Sequence, residues 1–235
     1  MAKKLNINSF KERKATSYCH TPIRAAIYFL IVSEGQKTEP NYFKTYIGRH
    51  GSKIISIKCG KGGKNTTQLI REAQKIIEVD KRRGVEYDSV WIVFDKDKFP
   101  DEAFNAAIND AQKEGIQVAW SNPAFEFWYL LHLKDISREL TPAECIQEIE
   151  KIINAKTSPK SKKAFKYNKA TNDFSWLDRE QNEVLAISRA EKLVANLSNQ
   201  NFAEANPCTT VYKLVRQLRG KDEEFNRSMT KRLRE

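Results

Sequence analysis

The chain has 235 residues and a mass of 27.2 kDa, with 40% hydrophobic and 30% charged residues and a mean hydropathy of −0.64. At about 150 residues per domain this is one domain, or one with a substantial elaboration, and nine Gly, seven Pro and twelve Phe exclude a collagen-like, mucin-like or wholly disordered chain. Lys and Arg total 41 against 30 Asp and Glu, a net charge of +11, which favours polyanionic partners, nucleic acid first, although many basic proteins bind none.

The elements follow in chain order. Residues 1–22 form a basic arm with Lys3, Lys4, Lys11, Arg13 and Lys14 against Glu12 alone. Arg24–Val32 is a continuous apolar run, as in a parallel strand buried on both faces. It ends at Ser33-Glu34-Gly35. A helix capped by Thr38, with Pro40 in its first turn, should bury Tyr42, Phe43 and Tyr46. Lys53–Cys59 reads as a second strand, residues 60–65 as a flexible basic loop with Lys61 and Lys64, and Thr66 or Thr67 opens a helix with Leu69, Ile70, Ala73, Ile76 and Ile77 on one face. Ser89–Phe94 is a third strand ending at Asp95-Lys-Asp97. A helix over Asp101–Glu114, a fourth strand over Gln117–Ser121 and a strongly apolar helix over Phe125–His132 complete the pattern. Strands alternating with helices imply a parallel α/β sheet flanked by helices.

This core spans 23–134, and beyond about residue 135 strands disappear. Residues 135–235 read as an α-helical C-terminal extension: helices over Pro142–Ile153 and Glu180–Leu197, one capped by Asn206-Pro207 with Val211, Leu214, Val215 and Leu218 as its stripe, and a charged tail. Between the first two, residues 156–169 hold six lysines and no acid and read as a mobile loop. Lys160, Lys162, Lys163 and Lys166, like Lys61 and Lys64, suit a phosphate backbone, or are simply solvated. The extension has three uses open to it: packing on the core, self-association into a homo-oligomer, or binding a partner.

The longest apolar run, Ala25–Val32, is eight residues, whereas a membrane helix needs about twenty. The N-terminus also lacks an apolar signal region. No membrane association and a cytoplasmic location are expected. Cys19, Cys59, Cys145 and Cys208 form no CxxC pair, and the three histidines do not complete a zinc site.

The carboxylates carry more. In open α/β sheets, ligands bind at the carboxyl ends of strands. Glu34 ends the first strand; Asp95 and Asp97 follow the third, and on an extended backbone both aspartates point the same way. Three acids at one edge repel one another unless a cation neutralises them, and hard oxygen donors suit Mg²⁺ or Mn²⁺. The bland alternative is that the aspartates cap the next helix. Glu126 opens the helix after the fourth strand, either as a further ligand or as a favourable charge at a helix N-terminus. Lys37 is placed to contact a phosphate, though a lysine in a turn needs no such role. Glu39 reads as a first-turn acid beside Thr38. Trp120, Trp128, Phe125 and Tyr129 read as core. Residues 60–65 fail as a P-loop, because Gly63-Lys64 is followed by Asn65 and position 58 is Lys. ATP hydrolysis is therefore not expected of this chain.

Four segments in order, Glu34-Gly-Gln-Lys-Thr-Glu-Pro-Asn-Tyr-Phe43, Phe94-Asp-Lys-Asp-Lys-Phe99, Ser121-Asn-Pro-Ala-Phe-Glu-Phe-Trp-Tyr-Leu-Leu-His132 and Asn206-Pro-Cys-Thr-Thr-Val-Tyr212, resemble the RloB family. The resemblance implies a TOPRIM-like fold, a role in bacterial anti-phage defence and a neighbouring AAA- or ABC-type ATPase partner. It implies Glu34 as general acid/base and metal-positioning group, with Asp95 and Asp97 holding Mg²⁺ or Mn²⁺. The expected function is a metal-dependent nuclease acting on DNA or RNA, tRNA included. The alternative is a non-catalytic nucleic-acid-binding or effector-docking subunit.

Overall fold

Three runs of apolar residues make the middle of the molecule: β1 (Phe29–Ser33), β2 (Ser89–Asp95) and β3 (Gln117–Asn122). The structure is a computed structural model and describes residues 27–50, 66–97, 99–156, 164–171, 173–177, 180–197 and 201–232. The basic arm, the predicted strand Lys53–Cys59 and Lys61, Lys64, Lys160, Lys162 and Lys163 lie outside the described residues. β1 pairs parallel with β2 (Phe29 opposite Ser89) and β2 parallel with β3 (Trp91 opposite Gln117).

Side chains alternate across a strand, and both sets are apolar here. Leu30, Val32, Ile92, Phe94 and Trp120 face α2 (Thr66–Lys81) and α3 (Asp101–Lys113), and meet Leu69, Ala73, Phe104 and Ile108. Phe29, Ile31, Trp91, Val93 and Ala119 face the other way. That side is covered by α1 (Thr38–His50), α4 (Glu126–Leu133), α5 (Pro142–Lys156), α6 (Glu180–Ala195), α7 (Val211–Leu218) and α8 (Glu223–Arg232). α4 is apolar all round and therefore sits innermost, with every residue from Glu126 to His132 buried. His132 donates from Nδ1 to the Trp128 carbonyl (2.9 Å), and burial pushes its pKa down to about 4, so the ring is neutral. Trp120, Trp128, Phe125 and Tyr129 are core residues, as expected.

Strands do not disappear after residue 135. Cys208–Thr209 form β4, antiparallel to β3, with Thr209 opposite Ser121. The open edge of β3 needs partners for its peptide groups. Thr210 extends the pairing: its N–H donates to the Trp120 carbonyl (2.8 Å), and its Oγ1 accepts the Trp120 N–H (2.9 Å). Asn206 is not a helix cap either. Its side chain accepts the Leu140 N–H (3.2 Å) and donates to the Leu140 carbonyl (2.9 Å), holding the entry to α5 against the entry to β4. At the opposite end of the strands Gln217 of α7 accepts from Ser89 Oγ (2.8 Å) and donates to Gln117 (2.9 Å). The C-terminal helices thus bury their stripes on the sheet and α4, and Phe225 of the charged tail packs on Phe29 at 5.5 Å. Among the described residues no helix is long and apolar enough to cross a membrane.

Candidate functional site

The strand periodicity that builds the core also places the acids. Trp91, Val93 and Asp95 share one face of β2, the face covered by α1 and α4. Glu34 follows β1 directly, its N–H bonded to the Val93 carbonyl (2.9 Å). The chain then turns through residues 35–37 into α1, so Glu39 falls in that helix's first turn. After β3 it turns into α4, whose first residue is Glu126. Three segment ends meet at the carboxyl edge of the parallel strands. Between them lies a cleft of about 450 Å³ lined by Glu34, Glu39, Asp95, Asp97 and Glu126, with Lys37 and Lys169 as its cations.

Asp95 Oδ1 is buried and has no hydrogen-bond partner. Burial, then Glu39 and Glu126, push the Asp95 carboxyl well above the usual range, against a backbone hydrogen bond from Phe125. Glu39 is only 4% exposed. Burial raises it to about 7, with Glu126 adding and its own N–H and that of Gly35 opposing; the Gly35 N–H lies 3.3 Å from Oε1. Glu34, half-buried, also rises to about 7 through burial and then Glu39. Glu126 is 2% exposed; it accepts from the Tyr167 hydroxyl (3.1 Å) and pairs with Lys169 Nζ (3.6 Å). A Cβ on Gly35 would stand 2.1 Å from Glu39 Oε2. Only glycine leaves the carboxylate its place.

Raised carboxyl pKa values link stability to pH with a definite sign. Between the ordinary value of 4.5 and about 7, Glu34 and Glu39 hold protons in the folded state that the unfolded chain has lost. The cleft's contribution to stability therefore falls as pH rises through that window. Protein treated with a chelator is expected to melt progressively lower from about pH 5 to pH 8. Mg²⁺ should reverse most of the loss at the upper end. A thermal melt series with and without Mg²⁺ measures both, and equal melting curves would remove the cleft as a cation site.

The donors are all oxygens, the chemistry of Mg²⁺ or Mn²⁺ rather than of zinc, and the orphaned Asp95 Oδ1 fits such an ion. Among the described residues, however, no three acidic, His or Cys side chains stand close enough to share one ion. The acids line the cleft without closing on a point.

A family model for RloB-like proteins matches residues 29–218. The chain belongs to the RloB-like family. No curated protein and no solved structure matches it. The RloB-like span runs from the first residue of β1 to the last of α7 and contains every acid of the cleft.

Within that span, Glu34, Lys37, Asp95, Asp97 and Glu126 come together. The extended path expected through Asp95 and Asp97 does not occur. β2 ends at Asp95, and Asp97 sits in a turn with φ of 29°, its N–H on the Pro123 carbonyl (3.2 Å). Asp97 is exposed and reaches the cleft by the turn instead of by strand alternation. Lys166 is outside the cleft lining and pairs with Glu150 of α5 (3.1 Å). The described half of the lysine-rich segment is not the mobile loop expected: Asn154 Oδ1 accepts the Phe165 N–H (2.7 Å), and Glu150 accepts that of Tyr167 (2.9 Å). Sequence reasoning missed Glu39, Tyr167 and Lys169. Glu39 had a signal, an acid in a turn beside a strand-end acid. Tyr167 and Lys169 had none.

Proposed function

We propose that this RloB-like protein is a metal-dependent nuclease of TOPRIM type that hydrolyses phosphodiester bonds of DNA or RNA, with an AAA- or ABC-type ATPase as partner in anti-phage defence. The observation that carries the reading is the buried, unpartnered Asp95 Oδ1 among five carboxylates at the carboxyl edge of a parallel sheet. Family membership is consistent with the defence role.

Asp95, Asp97 and Glu126 would hold Mg²⁺ or Mn²⁺, drawn inward by the ion's charge. The ion's chemistry is to neutralise a non-bridging phosphate oxygen and the departing oxygen. Glu34, half-buried at the rim, is open to water and takes a proton from it. The water oxygen bonds to phosphorus, and the bond from phosphorus to the sugar oxygen breaks. That oxygen leaves with the electron pair and takes a proton from solvent, while Glu34 gives its own back to solvent; nothing is oxidised or reduced. The net charge of +11 in a chain whose cleft is acidic puts the positive excess elsewhere, where it can grip the polyanion.

Purified wild type and Glu34→Gln, each with Mg²⁺ or Mn²⁺, are to be incubated with plasmid DNA, single-stranded DNA and total tRNA. Wild type is expected to cut at least one, and Glu34→Gln to be slower by roughly 10²-fold or more. The competing reading, a binding or effector-docking subunit, is favoured by the acids not converging on one point. Tight, salt-sensitive binding without turnover, even with the ATPase added, would establish that reading instead.

A further inference from the structure

Residues 164–171 run along α5 as a strap. Asn154 holds Phe165 by both backbone groups (2.7 and 3.0 Å), and Glu150 holds the Tyr167 N–H (2.9 Å) and Lys166 Nζ (3.1 Å). The Tyr167 ring lies against Tyr129 and Trp176, and its hydroxyl donates to Glu126 (3.1 Å). The strap turns at Asn168, which accepts the Ala170 N–H on Oδ1 and the Thr171 N–H on its carbonyl, both at 2.9 Å. Lys169 sits in that turn and sends Nζ into the cleft, 3.6 Å from Glu126 Oε1, while 61% of its side chain stays exposed.

A lysine whose whole task was to neutralise the buried Glu126 would not need an open face. Glu126 already has the Tyr167 hydroxyl. What the strap achieves is to hold an ammonium at the mouth of an acidic cleft, one side on a carboxylate and the other toward solvent. We infer that Lys169, beside Lys37 in the same cleft, is a residue that contacts the phosphate: once the acids hold a divalent ion, its ammonium turns from Glu126 to a non-bridging oxygen of the scissile group. It would add positive charge where the transition state gathers negative charge, and transfer no proton. This rests on the metal-dependent reading above.

The test compares wild type, Lys169→Met and Lys169→Arg. Mn²⁺ binding is read by electron paramagnetic resonance. Binding of thymidine or adenosine 5′-monophosphate, the same phosphate on either sugar, is read by calorimetry with Mn²⁺ saturating. Lys169→Met is expected to bind Mn²⁺ as tightly as wild type or tighter, because a competing cation is gone, and to bind the nucleotide about tenfold more weakly or worse. Lys169→Arg should stay within about threefold of wild type. Unchanged nucleotide affinity in Lys169→Met, no nucleotide binding by Mn²⁺-loaded wild type, or weakened Mn²⁺ binding in Lys169→Met would each overturn the assignment. Should methionine prevent folding, Lys169→Gln keeps a polar group beside Glu126 and is read the same way. A wild type that binds no Mn²⁺ would overturn the metal reading itself, and this assignment with it.

Discussion

Asp95→Asn is expected to abolish cleavage and, in the metal-free protein at about pH 8, to raise the melting temperature. Both effects have one origin. Asp95 Oδ1 is buried without a partner, and burial together with Glu39, Glu126 and Glu34 holds the carboxyl well above its ordinary range. Ionisation there opposes folding wherever no cation is present. Asparagine keeps the shape, removes the charge and offers an N–H to neighbouring carboxylates. A gain of about 1–2 kcal/mol corresponds to several degrees for a chain of this size. The rate should fall by at least about 10²-fold, because an ion would lose the ligand whose oxygen has no other partner. Melts in chelator and initial rates in Mg²⁺ measure the two effects. A variant that cuts at full rate would take Asp95 out of the chemistry, and one that melts lower would show its charge to be compensated.

Gly35→Ala should damage the cleft while sparing the fold. Gly35 is outside the left-handed backbone region, so alanine is acceptable to the main chain. Its methyl group, 2.1 Å from Glu39 Oε2, is not. Glu39 is 4% exposed and must leave its position, a strain of about 1–3 kcal/mol. Cation affinity and cleavage are expected to drop by about tenfold or more, since Glu39 faces both Asp95 and Glu126. The decisive comparison is the double variant. If the methyl acts only by displacing that carboxylate, Gly35→Ala should add nothing to Glu39→Ala. A further loss in the pair would place the damage in the 35–37 turn instead.

The parts readable from sequence were those whose physics is local. Continuous apolar runs announced β1, β2 and β3, and acids directly after buried strands announced Glu34 and Asp95. β4 was missed because two residues, Cys208 and Thr209, carry no periodicity; they are a strand only because β3 has an edge to fill. Glu39 read as a helix-start acid because its burial comes from Asp95 and α4, remote in sequence. Lys169 closed a run of six lysines, any of which suited a phosphate backbone or plain solvation equally. What set it apart, the hold of Asn154 and Glu150 on the strap, is a tertiary contact with a neighbouring helix. Asp97 was placed on the right cleft by the wrong geometry, since strand alternation stops at Asp95.

The fastening of the sheet by Cys208–Thr210 and Gln217 bears on how the protein is made. Ser89 meets Gln217 across 128 positions, and Trp120 meets Thr210 across 90. A chain emerging from the ribosome cannot finish even the side closed by α2 and α3 from nearby segments, because Ala203 and Cys208 belong to that core and Asn105 of α3 bonds to Asn201 and to the Ala203 N–H. The side that carries the acids must wait until residues 208–218 arrive to complete it. Contacts so distant in sequence slow folding. The cleft that gathers the five carboxylates therefore rests on a sheet that is finished only near the end of synthesis.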